Sequence, residues 1–302
     1  MIFEKSNIKL SKNRRNNIIT INDNQFELTR LYPDYQESKG AHSNLFTIRD
    51  VNDVVEERVI KFCKSPLEWR QTNEFHDRRL KRFEREIEAL KKCDGSTNVV
   101  KYFEKGKQQI SDMNFLYYVM EKADSDLKNF IMDNSLDIQY KVQLCQKLLN
   151  GLYELHKKGI YHRDIKPDNI LFVNEEWKIG DLGLVQFRDD DVSIDLENEF
   201  IGPRGWVSPE AMNKFLTYKK DIEFSFDCDI DDKSDIYQLG NLFWFNFQCN
   251  TPLGKIRRND FKIRDEQIYA HLIWMINHDK NRRPQLVDLI QSFSTIFLKY
   301  AA

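Results

Sequence analysis

The deciding stretch of this sequence reads Tyr161-His162-Arg163-Asp164-Ile165-Lys166-Pro167-Asp168-Asn169. A helical pattern over residues 136–158 precedes it, and two apolar runs separated by turn residues predict a hairpin over 170–179 after it. The stretch is therefore predicted to be a loop. A second acidic motif, Asp181-Leu182-Gly183, follows the hairpin. Together the two motifs suit phosphoryl transfer, which needs oxygen ligands for a metal ion and groups that position a nucleophile.

The residue types in the two motifs each have a use in that chemistry. Asp164 offers a carboxylate that can accept a proton from a hydroxyl group or orient it, and Lys166 can neutralise charge on a phosphate. Asn169 and Asp181 carry the hard oxygen ligands that Mg²⁺ prefers. The alternative is a polar loop followed by a capped helix, but so many matching residue types at fixed offsets count against it.

On these residues the chain resembles the eukaryotic-type protein kinase family, whose signature His-Arg-Asp-x-Lys-Pro-x-Asn is matched in full. The resemblance implies that Asp164 is the catalytic base, that Lys166 contacts the γ-phosphate, and that Asn169 and Asp181 hold Mg²⁺. It implies ATP as the nucleotide and a protein hydroxyl as the acceptor. Lys166 follows the serine/threonine pattern of the family.

The resemblance extends to the nucleotide-binding residues. Lys61, in Val59-Ile60-Lys61, resembles the lysine that binds the α- and β-phosphates. Its implied partner is Glu86, with Glu84 and Glu88 as alternatives on the same charged helix. The remaining positions that the resemblance implies for nucleotide binding are Gly40 and Leu45 in the phosphate loop and Val59, Met120, Glu121, Ala123, Asp126 and Leu171 around the adenine and ribose.

Three positions depart from the family pattern. The glycine-rich loop keeps only its middle glycine, Gly40; Leu182 replaces the usual Phe; and Pro203 stands where the family usually has Thr. The first departure leaves open a pseudokinase that acts as a binding module. A small-molecule kinase is the other alternative, although an expected pair between Glu210 and Arg283 and the Asp235 segment favour a protein kinase.

The segment after Asp181 predicts an unusual mode of activation. Arg163 beside Asp164 resembles kinases in which a phosphate on this segment pairs with the arginine. Between Asp181 and Val207 the only hydroxyl side chain is Ser193, within a run rich in Asp and Glu. We therefore expect one of these carboxylates to pair with Arg163, so that activity needs no phosphate; the alternative is that the acidic run is simply solvated.

The order of the patterns, strand-rich and then helix-rich, agrees with the fold class that the resemblance implies. This is an α+β, bilobal kinase fold with a small antiparallel-sheet lobe plus one helix and a larger, mainly helical lobe. Residues 1–25 are predicted to be an N-terminal extension with a strand at Ile18–Ile21, residues 26–121 the N-lobe and residues 122–302 the C-lobe. The expected ATP and Mg²⁺ site lies in the cleft.

The composition limits the classes of partner that we expect for this protein. The 302-residue chain has a net charge of −2, which gives no general attraction to nucleic acid or to an anionic membrane. No apolar run approaches the ~20 residues of a membrane span. The five cysteines are an odd number without a CxxC pair, which favours reduced thiols in the cytoplasm over a zinc site. The oligomeric state stays open.

Overall fold

A computed structural model of the protein describes residues 1–31, 42–52, 57–190, 194–196, 199–217 and 226–301. The chain forms two compact units. Unit 1 comprises Met1–Gly95 and Val100–Lys122, and unit 2 comprises Ser96–Val99 and Ala123–Ala302. Sheet dominates the first unit and helix the second, so the α+β composition expected from the sequence is present.

Unit 1 is built on a six-stranded antiparallel sheet. Its elements are β1 Ile2–Glu4, β2 Asn7–Lys9, β3 Ile18–Ile21, β4 Asn24–Arg30, β5 Ser43–Asp50, β6 Glu57–Cys63, α1 Glu74–Lys92, β7 Tyr102–Ile110 and β8 Met113–Glu121. The strand order in the sheet is β3-β4-β5-β6-β8-β7. Asn73 caps α1 by accepting a hydrogen bond from the N–H of Phe75. The strands β4 to β6 contain β-branched and aromatic residues, which favour strands.

The first 25 residues, predicted to be an N-terminal extension, belong to unit 1. Strands β1 and β2 form a hairpin, and β3, predicted at Ile18–Ile21, pairs with β4. The buried side chains of Ile8, Ile19 and Ile21 join the core cluster that contains Phe115. The ring of Phe3 lies 4.8 Å from that of Phe115. Burial of these apolar side chains stabilises the N-terminal segment on the unit.

Unit 2 is mainly helical. Its elements are β9 Ser125–Asp126, α2 Leu127–Asp133, α3 Ile138–Lys157, β10 Ile160–Tyr161, β11 Ile170–Val173, β12 Glu176–Ile179, β13 Gln186–Phe187, α4 Pro209–Leu216, α5 Asp232–Gln248, α6 Glu266–Met275 and α7 Leu286–Ala301. The predicted long helix and the predicted hairpin correspond to α3 and to the pair β11–β12. The deciding stretch is the loop between β10 and β11, as expected.

Helix α5 is the buried centre of unit 2. It begins with a capping box formed by Asp231 and Ser234, and its buried residues include Asp235, Gln238 and Trp244. A helix buried on most of its surface gives the loops around it a rigid support. In the part of the chain that the structure describes, no helix is long and apolar enough to cross a membrane.

Candidate active site

In unit 1, a buried ion pair joins Lys61 on β6 to Glu86 on α1. The distance from Lys61 Nζ to Glu86 Oε1 is 2.7 Å, and the hydroxyl of Tyr118 donates to the same oxygen at 2.9 Å. Tyr118 lies opposite Lys61 in the neighbouring strand β8. All three residues are buried, so the carboxylate exchanges hydration for a cation and a hydroxyl group.

The alternative glutamates of α1 have other partners. Glu84 accepts from Arg70 at 2.7 Å, and Glu88 lies 3.2 Å from Lys92 on the exposed side of the helix. Glu86, the partner expected for Lys61, is therefore the glutamate that pairs with it in the structure.

The other predicted nucleotide residues of unit 1 lie on adjacent strands. Val59 is buried on β6 opposite Met120 of β8, and Leu45 of β5 lies opposite Lys61. This register places the three predicted apolar positions on the strand that carries Lys61 and on its two neighbours. Gly40 lies outside the described residues.

The last residue of β8 and the residues that follow it make contacts of their own within their units. The side chain of Glu121 accepts a hydrogen bond from the N–H of Lys101 at 2.6 Å. Asp126 caps α2: its carboxylate accepts from the backbone N–H and the side-chain Nδ2 of Asn129. Leu171 lies opposite Asp126 where β11 pairs with β9, and Ala123 is half-buried. The carboxylate predicted to reach a ribose thus also has a capping function.

In unit 2, the predicted catalytic residues meet at one carboxylate. Asp164 Oδ2 accepts hydrogen bonds from Lys166 Nζ at 2.8 Å and from Asn169 Nδ2 at 2.9 Å. Asn169 Nδ2 also donates to the backbone carbonyl of Asp164 at 2.8 Å. Asp164 and Asn169 are buried. The three residues therefore form one hydrogen-bonded group.

The electrostatics of this group suit a proton acceptor. Burial raises the pKa of Asp164 above its ordinary value, and the negative charge of Asp181 adds to this effect. The charge and hydrogen bond of Lys166 oppose it. A carboxylate whose proton affinity is raised is a stronger base for a hydroxyl proton.

The donor set fits Mg²⁺. Asn169 uses its amide nitrogen in both hydrogen bonds to Asp164, which leaves Oδ1 as the atom that can face a cation. The exposed Asp181 supplies a carboxylate. Mg²⁺ is usually held by one or two protein oxygens together with phosphates and waters, so two protein ligands are sufficient. Among the residues that the structure describes, no cluster of three or more His, Cys, Asp or Glu side chains could hold a metal ion.

The catalytic loop, residues 162–169, is held by side chains of α5. The carboxylate of Asp235 accepts the backbone N–H groups of His162 at 2.8 Å and Arg163 at 2.7 Å. The imidazole Nδ1 of His162 accepts the N–H of Asp164, so its Nε2 carries the proton and donates to the carbonyl of Gly180. His162 is thus a buried residue that holds the loop.

The Arg163 side chain binds the segment that follows Asp181. Its Nη1 lies 2.6 Å from Asp195 Oδ2 and 2.8 Å from Gln186 Oε1, and its Nε donates to the carbonyl of Leu184 at 2.7 Å. The side chains of Arg163 and Asp195 are almost completely buried. One carboxylate of the acidic run therefore pairs with Arg163, as expected. Ser193 lies outside the described residues.

A third buried ion pair lies at the start of α4. Arg283 donates to both oxygens of Glu210, at 2.8 and 2.9 Å, and Ser234 donates to Oε1 at 2.6 Å. Burial alone would raise the pKa of Glu210, but Arg283 and Ser234 outweigh it and lower that pKa. The expected pair between Glu210 and Arg283 is therefore present.

Three residues with functional geometry were not found from the sequence. Tyr118 bonds the carboxylate of Glu86, Gln238 of α5 bonds the catalytic loop, and His156 of α3 bonds Asp235 at 2.9 Å. Each is a polar residue inside an apolar pattern, which was the one available signal.

Comparisons with known proteins agree with this geometry. The family model for the protein kinase domain matches residues 40–298. The chain is 34% identical to the serine/threonine-protein kinase cds1 of Schizosaccharomyces pombe over 57% of this chain and 35% of that protein. It is 28% identical to the mitogen-activated protein kinase HOG1 of Gibberella zeae over 80% of this chain and 60% of that protein. It is 31% identical to the serine/threonine-protein kinase mig-15 of Caenorhabditis elegans over 51% and 14%. The chain thus spans less than two thirds of the length of each of these three relatives. Since the family match covers most of the sequence and its defining residues are assembled, the chain belongs to the protein kinase domain family.

Proposed function

We propose that this protein transfers the γ-phosphoryl group of ATP to a serine or threonine hydroxyl of a protein. The observation that carries the proposal is the group formed by Asp164, Lys166 and Asn169, in which one buried carboxylate is held by a cation and an amide. Membership of the family and the names of the relatives support this activity. The cytoplasmic location stays a prediction.

In the proposed reaction, Asp164 accepts the hydroxyl proton as the oxygen attacks the γ-phosphorus. Lys166, hydrogen-bonded to Asp164, balances the charge that develops on the transferred group. Lys61 binds the α- and β-phosphates and is held in place by Glu86. Asn169 and Asp181 would hold Mg²⁺, which neutralises phosphate charge when it is bound. Positioning and charge neutralisation supply the rate enhancement.

We further propose that activity needs no phosphate on the segment after Asp181. The carboxylate of Asp195 occupies the position at Arg163 that a phosphate would take. A carboxylate carries less charge and fewer acceptor oxygens than a phosphate. The burial of this pair strengthens the attraction in compensation.

Two assays test the proposal against its alternatives. A thermal-shift titration with ATP and Mg²⁺ measures binding, and incorporation of labelled phosphate into proteins measures transfer. Binding without transfer would identify a pseudokinase, and transfer to sugars or aminoglycosides alone would identify a small-molecule kinase. The bonds from Asp235 to the catalytic loop and from Arg283 to Glu210 favour the protein substrate.

A further inference from the structure

Two side chains of α5 contact the catalytic loop. Asp235 and Gln238 are three residues apart and therefore share one face of the helix, and both are completely buried. Asp235 accepts the N–H groups of His162 and Arg163. Gln238 acts beside it, on the part of the loop that contains Asp164 itself.

The amide of Gln238 bonds the backbone on both sides of Asp164. Its Oε1 accepts the N–H of Ile165 at 2.8 Å, and its Nε2 donates to the carbonyl of Arg163 at 3.0 Å. That carbonyl belongs to the peptide unit before the Cα of Asp164, and that N–H belongs to the unit after it. One side chain therefore restrains both backbone torsions of Asp164.

The other two polar groups of these peptide units are also hydrogen-bonded. The N–H of Asp164 donates to His162 Nδ1 at 3.2 Å, and its carbonyl accepts from Asn169 Nδ2 at 2.8 Å. The neighbouring Arg163 has a φ of 64°, a left-handed conformation that costs a non-glycine residue ~1–3 kcal/mol unless the surroundings impose it. Gln238 and Asp235 help to impose it, because they hydrogen-bond the carbonyl and the N–H of Arg163.

An amide is well suited to this position, because the side chain must accept from an N–H with one atom and donate to a carbonyl with another. A carboxylate lacks the donor. The chain before α4 covers the bond: a Cβ added at Gly202 would lie 3.3 Å from Gln238 Nε2 and 3.5 Å from the carbonyl oxygen of Arg163. Gly202 also has a φ of 124°, which favours glycine.

We propose that Gln238 is a positioning residue for phosphoryl transfer, which orients the carboxylate of Asp164 by holding the carbonyl of Arg163 and the N–H of Ile165. The proposal rests on the proposed function. Displacement of a catalytic group by about 1 Å can cost ~10²-fold in rate, so loss of this amide should act on kcat and leave nucleotide affinity nearly unchanged.

The test compares Gln238→Glu and Gln238→Asn with wild type. Protonated glutamic acid still provides a donor and an acceptor, whereas the carboxylate provides acceptors only. The kcat of Gln238→Glu should therefore fall towards ~10²-fold below wild type as the pH rises through the titration of the new carboxyl group. Asn is one methylene shorter and cannot reach both groups, so the kcat of Gln238→Asn should be low without this extra pH dependence.

Asn241→Asp is the matched control. It makes the same change from amide to carboxyl at another buried position of α5, where the side chain donates to the carbonyl of Tyr237. We expect it to lower thermal stability without changing the kcat of the folded protein. If both Gln238 variants fold, bind ATP and turn over at the wild-type kcat, the proposal is wrong.

Amide hydrogen exchange in residues 162–169 separates this proposal from the proposed function. Exchange should be faster in Gln238→Asn than in Asn241→Asp. Unchanged exchange would overturn the role of Gln238 even if the wild-type protein is an active kinase. A wild-type protein that transfers no phosphate would refute the proposed function, and exchange would still decide whether Gln238 holds the loop.

Discussion

Lys61 Nζ and Glu86 Oε1 form a 2.7 Å ion pair that is buried in unit 1 and shared with the hydroxyl of Tyr118. Removing one member of a buried pair leaves the other charge without compensation, at a typical cost of ~3–5 kcal/mol. The pair therefore couples the stability of unit 1 to the phosphate contact proposed for Lys61.

Lys61→Met should lower kcat/KM for ATP by ~10²–10³-fold, as expected when one charge-stabilising group is lost. Glu86→Gln should act in the same direction but less strongly. Steady-state kinetics over a range of ATP concentrations measure both effects. Glu84→Gln is the control, because Glu84 pairs with Arg70 instead. A silent Glu86→Gln beside a damaging Glu84→Gln would contradict the assignment.

Asp181→Asn should raise the Mg²⁺ concentration needed for half-maximal activity, since a charged oxygen ligand becomes neutral. Added Mn²⁺ should restore part of the rate. Asp168→Asn makes the same change at a half-exposed residue of the catalytic loop whose charge faces Lys128. A metal titration that moves equally in both variants would count against the role of Asp181.

Asp195→Asn should lower kcat by ~10–10²-fold, because the buried guanidinium of Arg163 loses its charged partner. Ser193→Ala should leave the activity of phosphate-free protein close to wild type. Asp189→Asn, at an exposed position of the same acidic run, controls for the loss of one charge. Activity that depends on phosphorylated Ser193 would contradict the role proposed for the pair of Asp195 with Arg163.

Arg283→Gln should destabilise the protein by about 3–5 kcal/mol at neutral pH, because Glu210 stays buried without its cation. In the wild type the lowered pKa of Glu210 adds stability above its unfolded pKa, and this is lost as the pH falls through the folded pKa. In Arg283→Gln the buried carboxyl group of Glu210 favours the protonated form. The stability lost relative to wild type should therefore be smaller at acidic pH. Urea unfolding measures this, with the exposed Arg282→Gln as the control. Equal losses at neutral and acidic pH would refute the role of the pair.

That the predicted catalytic residues lie together could be predicted from the sequence, because they follow one another in a short loop. Asp164, Lys166 and Asn169 meet through local hydrogen bonds. Glu86 could be preferred over Glu84 only through the resemblance, since helical spacing alone does not say which glutamate faces β6.

The remaining features depend on tertiary packing. Several carboxylates of the acidic run satisfy the same charge pattern, and only the path of the chain selects Asp195 for Arg163. Gln238 bonds backbone groups more than seventy positions away, which leaves no periodic signal in the sequence. The N-terminal strands were missed because β1 and β2 are only three residues long each.

The most direct test of the central claim is transfer of labelled γ-phosphate from ATP to protein by the wild type and by Asp164→Asn, with the sites mapped by mass spectrometry. The account predicts phosphoserine or phosphothreonine with the wild type and a ~10²–10⁴-fold lower rate with the variant. ATP binding, measured by thermal shift, should be nearly equal in the two proteins. An unchanged transfer rate in Asp164→Asn would contradict the account.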